Sequence, residues 1–133
     1  YGQAEYYHPE RNQGTLTCFY QHRHHNNPLI HIGQQDITAH VDFTRVIEEA
    51  HEYGCILAGY TTQAAFLLSC GLIDLASQLE PTLSAIDAFQ MHHAIKLLTL
   101  PTEMGERIKV MGLAKHMTLP LIGFAQHDRR RDL

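Results

Sequence analysis

The amino-acid sequence predicts an α/β fold. Two apolar, β-prone segments, residues 14–23 and 55–62, flank an amphipathic helical stretch of about a dozen residues, and a third segment at 107–117 alternates for part of its length. Strand, helix, strand is the order of a βαβ unit, in which two parallel strands are joined by a right-handed crossover.

The elements follow in order. Residues 1–12 are polar and aromatic with Pro9 and read as a loop. In GTLTCFYQHR (14–23), Leu16, Cys18 and Tyr20 share one face and Thr15, Thr17 and Phe19 the other, so the segment reads as one strand covered on both sides. Asn26-Asn27-Pro28 and Gly33 break it. Asp42 is placed to cap the next helix, because its carboxylate can accept from free first-turn amides. Phe43, Val46, Ile47 and Ala50 recur at helical spacing, Arg45, Glu48, Glu49 and Glu52 face water, and Gly54 suits a left-handed C-cap. CILAGYTT (55–62) is the second strand. Residues 63–79 are helical with a break at Cys70-Gly71, Pro81 interrupts, and Ser84 or Asp87 starts a helix running to about Leu98. A loop with Pro101 and Gly105 precedes the third strand, RIKVMGLAKHM (107–117).

Bulk properties exclude several classes. At 133 residues and 44% hydrophobic, the chain can bury one core, so a single domain over 1–133 is expected. A formal net charge of −4 argues against nucleic acid as a partner, and no apolar run reaches membrane-spanning length. The basic run Arg129–Arg131 reads as a solvated tail. Cys18, Cys55 and Cys70 form no CxxC pair and sit in apolar stretches, which suits buried, reduced thiols. The first residue is Tyr1 rather than Met, so a processed form or a fragment is expected.

Chemistry-bearing residues are sparse. Of eleven histidines, His22, His24, His25 and His31 cluster; His22 and His24 would share a strand face, one geometry for a metal pair, yet the spacing matches no structural zinc pattern. Polar loop residues are the better reading, and no metal is expected. His92 and His93 are adjacent on a helix, diverge, and read as helix surface. GxSxG, HExxH, P-loop and GxGxxG motifs are absent from the sequence. Asp36 and His40 stand apart, because they fall in a loop leaving the carboxyl end of a strand, where open α/β sheets bind ligands. Tyr60 and Gln63 leave the second strand on that edge. Hydrogen bonds that hold the loops together are the competing role for all four.

At these residues a resemblance appears. QQDITAHVDFT, AGYTTQAAFLLSCGL and PTEMGERIKVMGLAKHM resemble the carboxy-terminal part of the MidA family of S-adenosylmethionine-dependent methyltransferases. YYHPERNQGTLTCFYQHR and GFAQHDRRR extend it over essentially the whole chain. The resemblance implies the carboxy-terminal portion of a Rossmann-like class I methyltransferase sheet. That portion is three-stranded and mixed, its last strand antiparallel between the other two, with flanking helices. It also implies that the glycine-rich loop and acidic residue that hold the cofactor lie outside this chain. S-adenosylmethionine is then the cofactor of a longer parent protein, and the chain alone is expected to bind none.

A mitochondrial relative in the family methylates an arginine of a respiratory complex I subunit, so a protein side chain, arginine among the candidates, is the implied acceptor. On that reading Asp36, His40 and Glu103 are the catalytic candidates, with Asp36 and Glu103 orienting a guanidinium by bidentate hydrogen bonds. Tyr1, Tyr60, Gln63 and Arg107 are the substrate-binding candidates. Asp36, His40 and Glu103 are expected to meet at one sheet edge. The implied location is the bacterial cytoplasm or, in a eukaryote, the mitochondrion. The alternative is a non-catalytic interaction or assembly module. With a neighbouring strand missing, residues 14–23 would present an unpaired apolar edge, so self-association through that strand is expected as well.

Overall fold

The structure is a computed structural model and describes residues 8, 9, 14–117 and 120–133. It contains two compact units, Tyr1–Glu49 with Leu133, and Ala50–Asp132.

In the first unit β1 (Thr17–Tyr20) is the middle strand of an antiparallel sheet ordered β2-β1-β3, flanked by β2 (Arg23–His25) and β3 (Asp36–Thr38). Tyr20 pairs with Arg23, so the connection is a two-residue turn, and Gln21 and His22 both take positive φ, 47° and 62°. That is the primed turn whose twist suits a tight hairpin. The continuous strand expected over 14–23 is therefore two strands and a turn. His22 sits in the turn and shares no strand face with His24. On its other side β1 pairs Thr17 with Thr38 and Phe19 with Asp36. Both edges of β1 are thus occupied within the chain, and the open edge on which self-association was expected is absent here.

Short polar bonds fix the loop between β2 and β3. The Asn27 side chain accepts from Leu29 N at 3.0 Å, and Gln35 Nε2 donates to the carbonyls of Pro28 (2.8 Å) and Ile30 (2.6 Å). The His31 ring stacks on Tyr20, centroids 4.0 Å apart.

Helix α1 (Phe43–Glu52) begins and ends as its sequence dictates. Asp42 Oδ1 accepts from Arg45 N at 3.0 Å. At the far end Gly54 takes φ +74°, its amide bonds His51 O, and Cys55 N bonds Ala50 O, a Schellman closure.

The second unit is built on β4 (Ile56–Thr62) and β5 (Lys109–Ala114), paired antiparallel from Ile56↔Ala114 to Thr62↔Lys109 with a bulge after Leu57. Helices α2 (Gln63–Ser69), α3 (Leu72–Leu79) and α4 (Ala85–Thr99) connect them. Gly71 breaks α2 from α3 at φ +85°, and Pro81 lies in a 3-10 turn, Glu80–Thr82. Ser84 caps α4 by accepting from Asp87 N. The buried apolar side chains here are Ala58, Tyr60, Ala64, Ala114 and Phe124.

Gly59 and Gly112 face each other across the β4–β5 ladder, and a Cβ on either would collide with the Phe124 ring. The paired glycines form the slot that holds Phe124, which also meets Phe66 edge-on at 5.3 Å.

Strand and helix content agree with the α/β reading, and β5 runs antiparallel to β4 as expected. The parallel βαβ pairing does not form: among the described residues every strand pair is antiparallel, and β1 and β4 belong to different sheets. The reason is β3, a three-residue exposed strand in the segment read as loop, which takes the free side of β1.

Candidate functional site

The edge where β4 ends and β5 begins is built from backbone bonds outward. After the last ladder pair, Gln63 N bonds Ile108 O at 2.9 Å and Ala64 N bonds Gly105 O at 3.0 Å, so the loop entering β5 is clamped to the first turn of α2. Gly105 is required there, because a Cβ would run into the Thr99 carbonyl. Gln63 Nε2 donates to Leu98 O at 3.0 Å, tying the loop edge to the end of α4. Glu106 lies between these anchors. Its carbonyl accepts from Lys109 Nζ at 2.6 Å and its carboxylate meets Arg129 Nη1 at 3.3 Å.

The chain terminus closes this edge. Arg129 N donates to Tyr60 O at 2.7 Å, Thr61 Oγ1 donates to His127 O at 2.7 Å, and Tyr60 N approaches Asp128 Oδ1 at 3.4 Å. Arg130 pairs with Asp128 at 2.7 Å and reaches Leu57 O. Two of the three arginines read as a solvated tail are therefore bonded to the outer edge of β4. Sequence reasoning missed Glu106, Asp128 and Arg129. The available signal was the apolar run ahead of Gln126, with Phe124 matched to two strand glycines.

The candidates from sequence separate between the two units. Glu103, Tyr60, Gln63 and Arg107 fall in the second, Asp36 and His40 in the first. Tyr1 lies outside the described residues. Glu103 and Arg107 are exposed on the loop entering β5, at the end of the sheet where β4 finishes. Tyr60 is only 4% exposed and belongs to the core. Gln63 spends its amide on Leu98 O, which is the loop-holding role weighed against binding. Asp36 is exposed and opens β3 opposite Phe19, so it begins a strand instead of following one. His40 follows β3; its amide donates to Thr15 Oγ1 at 3.2 Å, and it lines an open depression of ≈ 540 Å³ with Gly14, Thr15, Leu16, Thr17 and Asn26.

Among the described residues no group of three or more His, Cys, Asp or Glu could hold a metal ion. His92 lies on the surface of α4, 3.4 Å from Glu80, and His93 is exposed. Cys18 is fully buried and Cys55 partly so, but Cys70 is exposed at the α2–α3 break, contrary to the expectation of three buried thiols. No helix among the described residues is long and apolar enough to cross a membrane.

Among the described residues, the β4–α2 junction does not fit a cradle for S-adenosylmethionine. The β4–α2 junction has no glycine between strand and helix. Thr61 and Thr62 are buried there, and Thr62 Oγ1 caps the Ala65 amide at 3.3 Å, which closes the helix end to a ligand.

Comparison with known proteins agrees with a methyltransferase fold. Residues 1–61 match the family described as "Putative S-adenosyl-L-methionine-dependent methyltransferase". Over 120 residues, 87% of this chain, the sequence is 32% identical to the mitochondrial protein arginine methyltransferase NDUFAF7 of Xenopus laevis. A crystal structure of a candidate methyl transferase from Burkholderia thailandensis, bound to S-adenosyl-homocysteine, is matched by the whole chain at 40% identity with a TM-score of 0.88. A native crystal structure of a protein of the same superfamily from that organism matches equally well. The chain spans 26% of the frog protein's length and 34% and 35% of the two crystallised chains. The chain is thus similar to part of S-adenosylmethionine-dependent methyltransferases. Within that class, the chain resembles part of the MidA family.

Proposed function

We propose that this chain is the carboxy-terminal portion of an S-adenosylmethionine-dependent methyltransferase and supplies the acceptor side of its site. The observation that carries the reading is the match of the whole chain, in fold and sequence, to a protein bound to S-adenosyl-homocysteine. The closed β4–α2 junction supports assigning cofactor binding to the rest of the parent protein.

The proposed acceptor is a protein side chain, with arginine favoured by the similarity to an arginine methyltransferase. Transfer to a guanidinium nitrogen depends on holding that nitrogen in line with the activated methyl group. Exposed carboxylates suit the task, because they can take a guanidinium through paired hydrogen bonds and fix its plane. Asp36 in the first unit and Glu103 in the second are each, by itself, a candidate for that part; His40, which lines the depression of the first unit, and Arg107 and Tyr1 are candidates for binding the acceptor protein. Tyr60 and Gln63 act as supports for the edge. The bacterial cytoplasm, or the mitochondrion in a eukaryote, is the location this reading carries.

The test is methyl transfer by the longer protein that contains this chain. With methyl-labelled S-adenosylmethionine and arginine-containing protein acceptors, label in methylarginine supports the reading. Label confined to a small molecule or a nucleic acid contradicts the protein acceptor.

A further inference from the structure

We propose that Arg129 is a positioning residue for the acceptor edge, acting through Glu106 on the loop that carries Glu103 and Arg107. The functional part of this inference rests on the reading above; the structural part does not.

The outer edge of β4 would be an open ladder, with amides and carbonyls directed at solvent. The terminus takes that edge in place of a strand. Arg129 N bonds Tyr60 O, Thr61 Oγ1 bonds His127 O, and Arg130 Nη1 reaches Leu57 O. Phe124, seated in the Gly59–Gly112 slot, fixes where the terminus starts its path. The backbone of Arg129 is therefore held on β4 independently of its side chain. That leaves the guanidinium free to act on something else, and it reaches Glu106 at 3.3 Å.

Glu106 follows Gly105, whose carbonyl accepts from Ala64 N, and precedes Ile108, whose carbonyl accepts from Gln63 N. A pull on the Glu106 carboxylate is thus applied at the middle of the clamped loop. Both side chains remain close to half exposed, 44% for Arg129 and 40% for Glu106, and such a pair adds little to global stability. Its consequence is local: it sets how the loop bearing Glu103 and Arg107 sits at the end of β4. The charge is what does this, so lysine retains the function and glutamine loses it.

Amide hydrogen exchange tests the structural part in the 133-residue chain. Arg129→Gln is expected to speed exchange at Ala64 and Gln63 about threefold, while the Cys55 amide at the end of α1 keeps its wild-type rate. Arg129→Lys is expected to stay near wild type. Unchanged exchange at Ala64, or acceleration of every amide alike, overturns the proposal. In the longer protein, Arg129→Gln is expected to raise KM for the acceptor about tenfold with KM for S-adenosylmethionine and the melting temperature unchanged, and Arg129→Lys to restore most of it. An unchanged acceptor KM, or a loss that follows the melting temperature, overturns the functional part. If the wild-type protein transfers no methyl group to protein, the acceptor reading fails and hydrogen exchange alone decides the role of Arg129.

Discussion

Asp42 and Phe124 show what a single side chain contributes. One Asp42 carboxylate oxygen accepts from the Arg45 amide and occupies a first-turn donor of α1. Asp42→Ala is expected to cost about 0.5–2 kcal/mol in urea denaturation, and activity of the longer protein should fall only as folded protein is lost. A stable Asp42→Ala protein without turnover would instead make it a functional residue. Phe124 depends on the absence of two side chains: with Gly59 and Gly112 opposed beneath its ring, Gly112→Ala is expected to destabilise by roughly 1–3 kcal/mol. A double-mutant cycle with Phe124→Leu should recover part of that loss; full additivity would show that the two sites do not interact. The cap was legible in sequence because its partners lie three residues apart. The slot was not, because Gly59 and Phe124 become neighbours only after the chain has folded.

Among the elements, α1 and α4 formed where caps and spacing placed them, whereas the first strand was misread. TLTCFYQHRHH contains no glycine, proline, asparagine or aspartate, the residues that usually announce a hairpin. The chain nevertheless turns at Gln21 and His22 in the left-handed region, at a cost of roughly 1–2 kcal/mol per residue. Replacing the pair by Asn-Gly is therefore expected to raise the urea midpoint, by about 1 kcal/mol or more in stability. An unchanged or lowered midpoint would show that the Gln21 contact with the Tyr20 hydroxyl, 3.2 Å long, compensates the turn. β3 was missed for a related reason. Three exposed residues have too little apolar alternation to mark a strand, and only the ladder to β1 defines them. That error carried into the site, since Asp36 was placed in a loop and in fact opens β3.

For the whole molecule, the resemblance to the family was legible in runs such as DITAHVDF and EMGERIKV, while the pairing of strands was not, because long-range ladders leave no local signature. The proposed division of labour has a direct consequence: isothermal titration of the 133-residue chain with S-adenosylmethionine is expected to show no micromolar binding, and a micromolar dissociation constant would contradict it. The central claim, that this chain presents carboxylates to a protein acceptor, is tested most directly by the acceptor KM in the longer protein, with Asp36→Asn and Glu103→Gln measured against wild type at saturating S-adenosylmethionine. The account predicts methylarginine formation by wild type and an acceptor KM raised about tenfold in each variant, equivalent to about 1.4 kcal/mol of lost guanidinium binding. Wild-type transfer that is indifferent to both substitutions would contradict it.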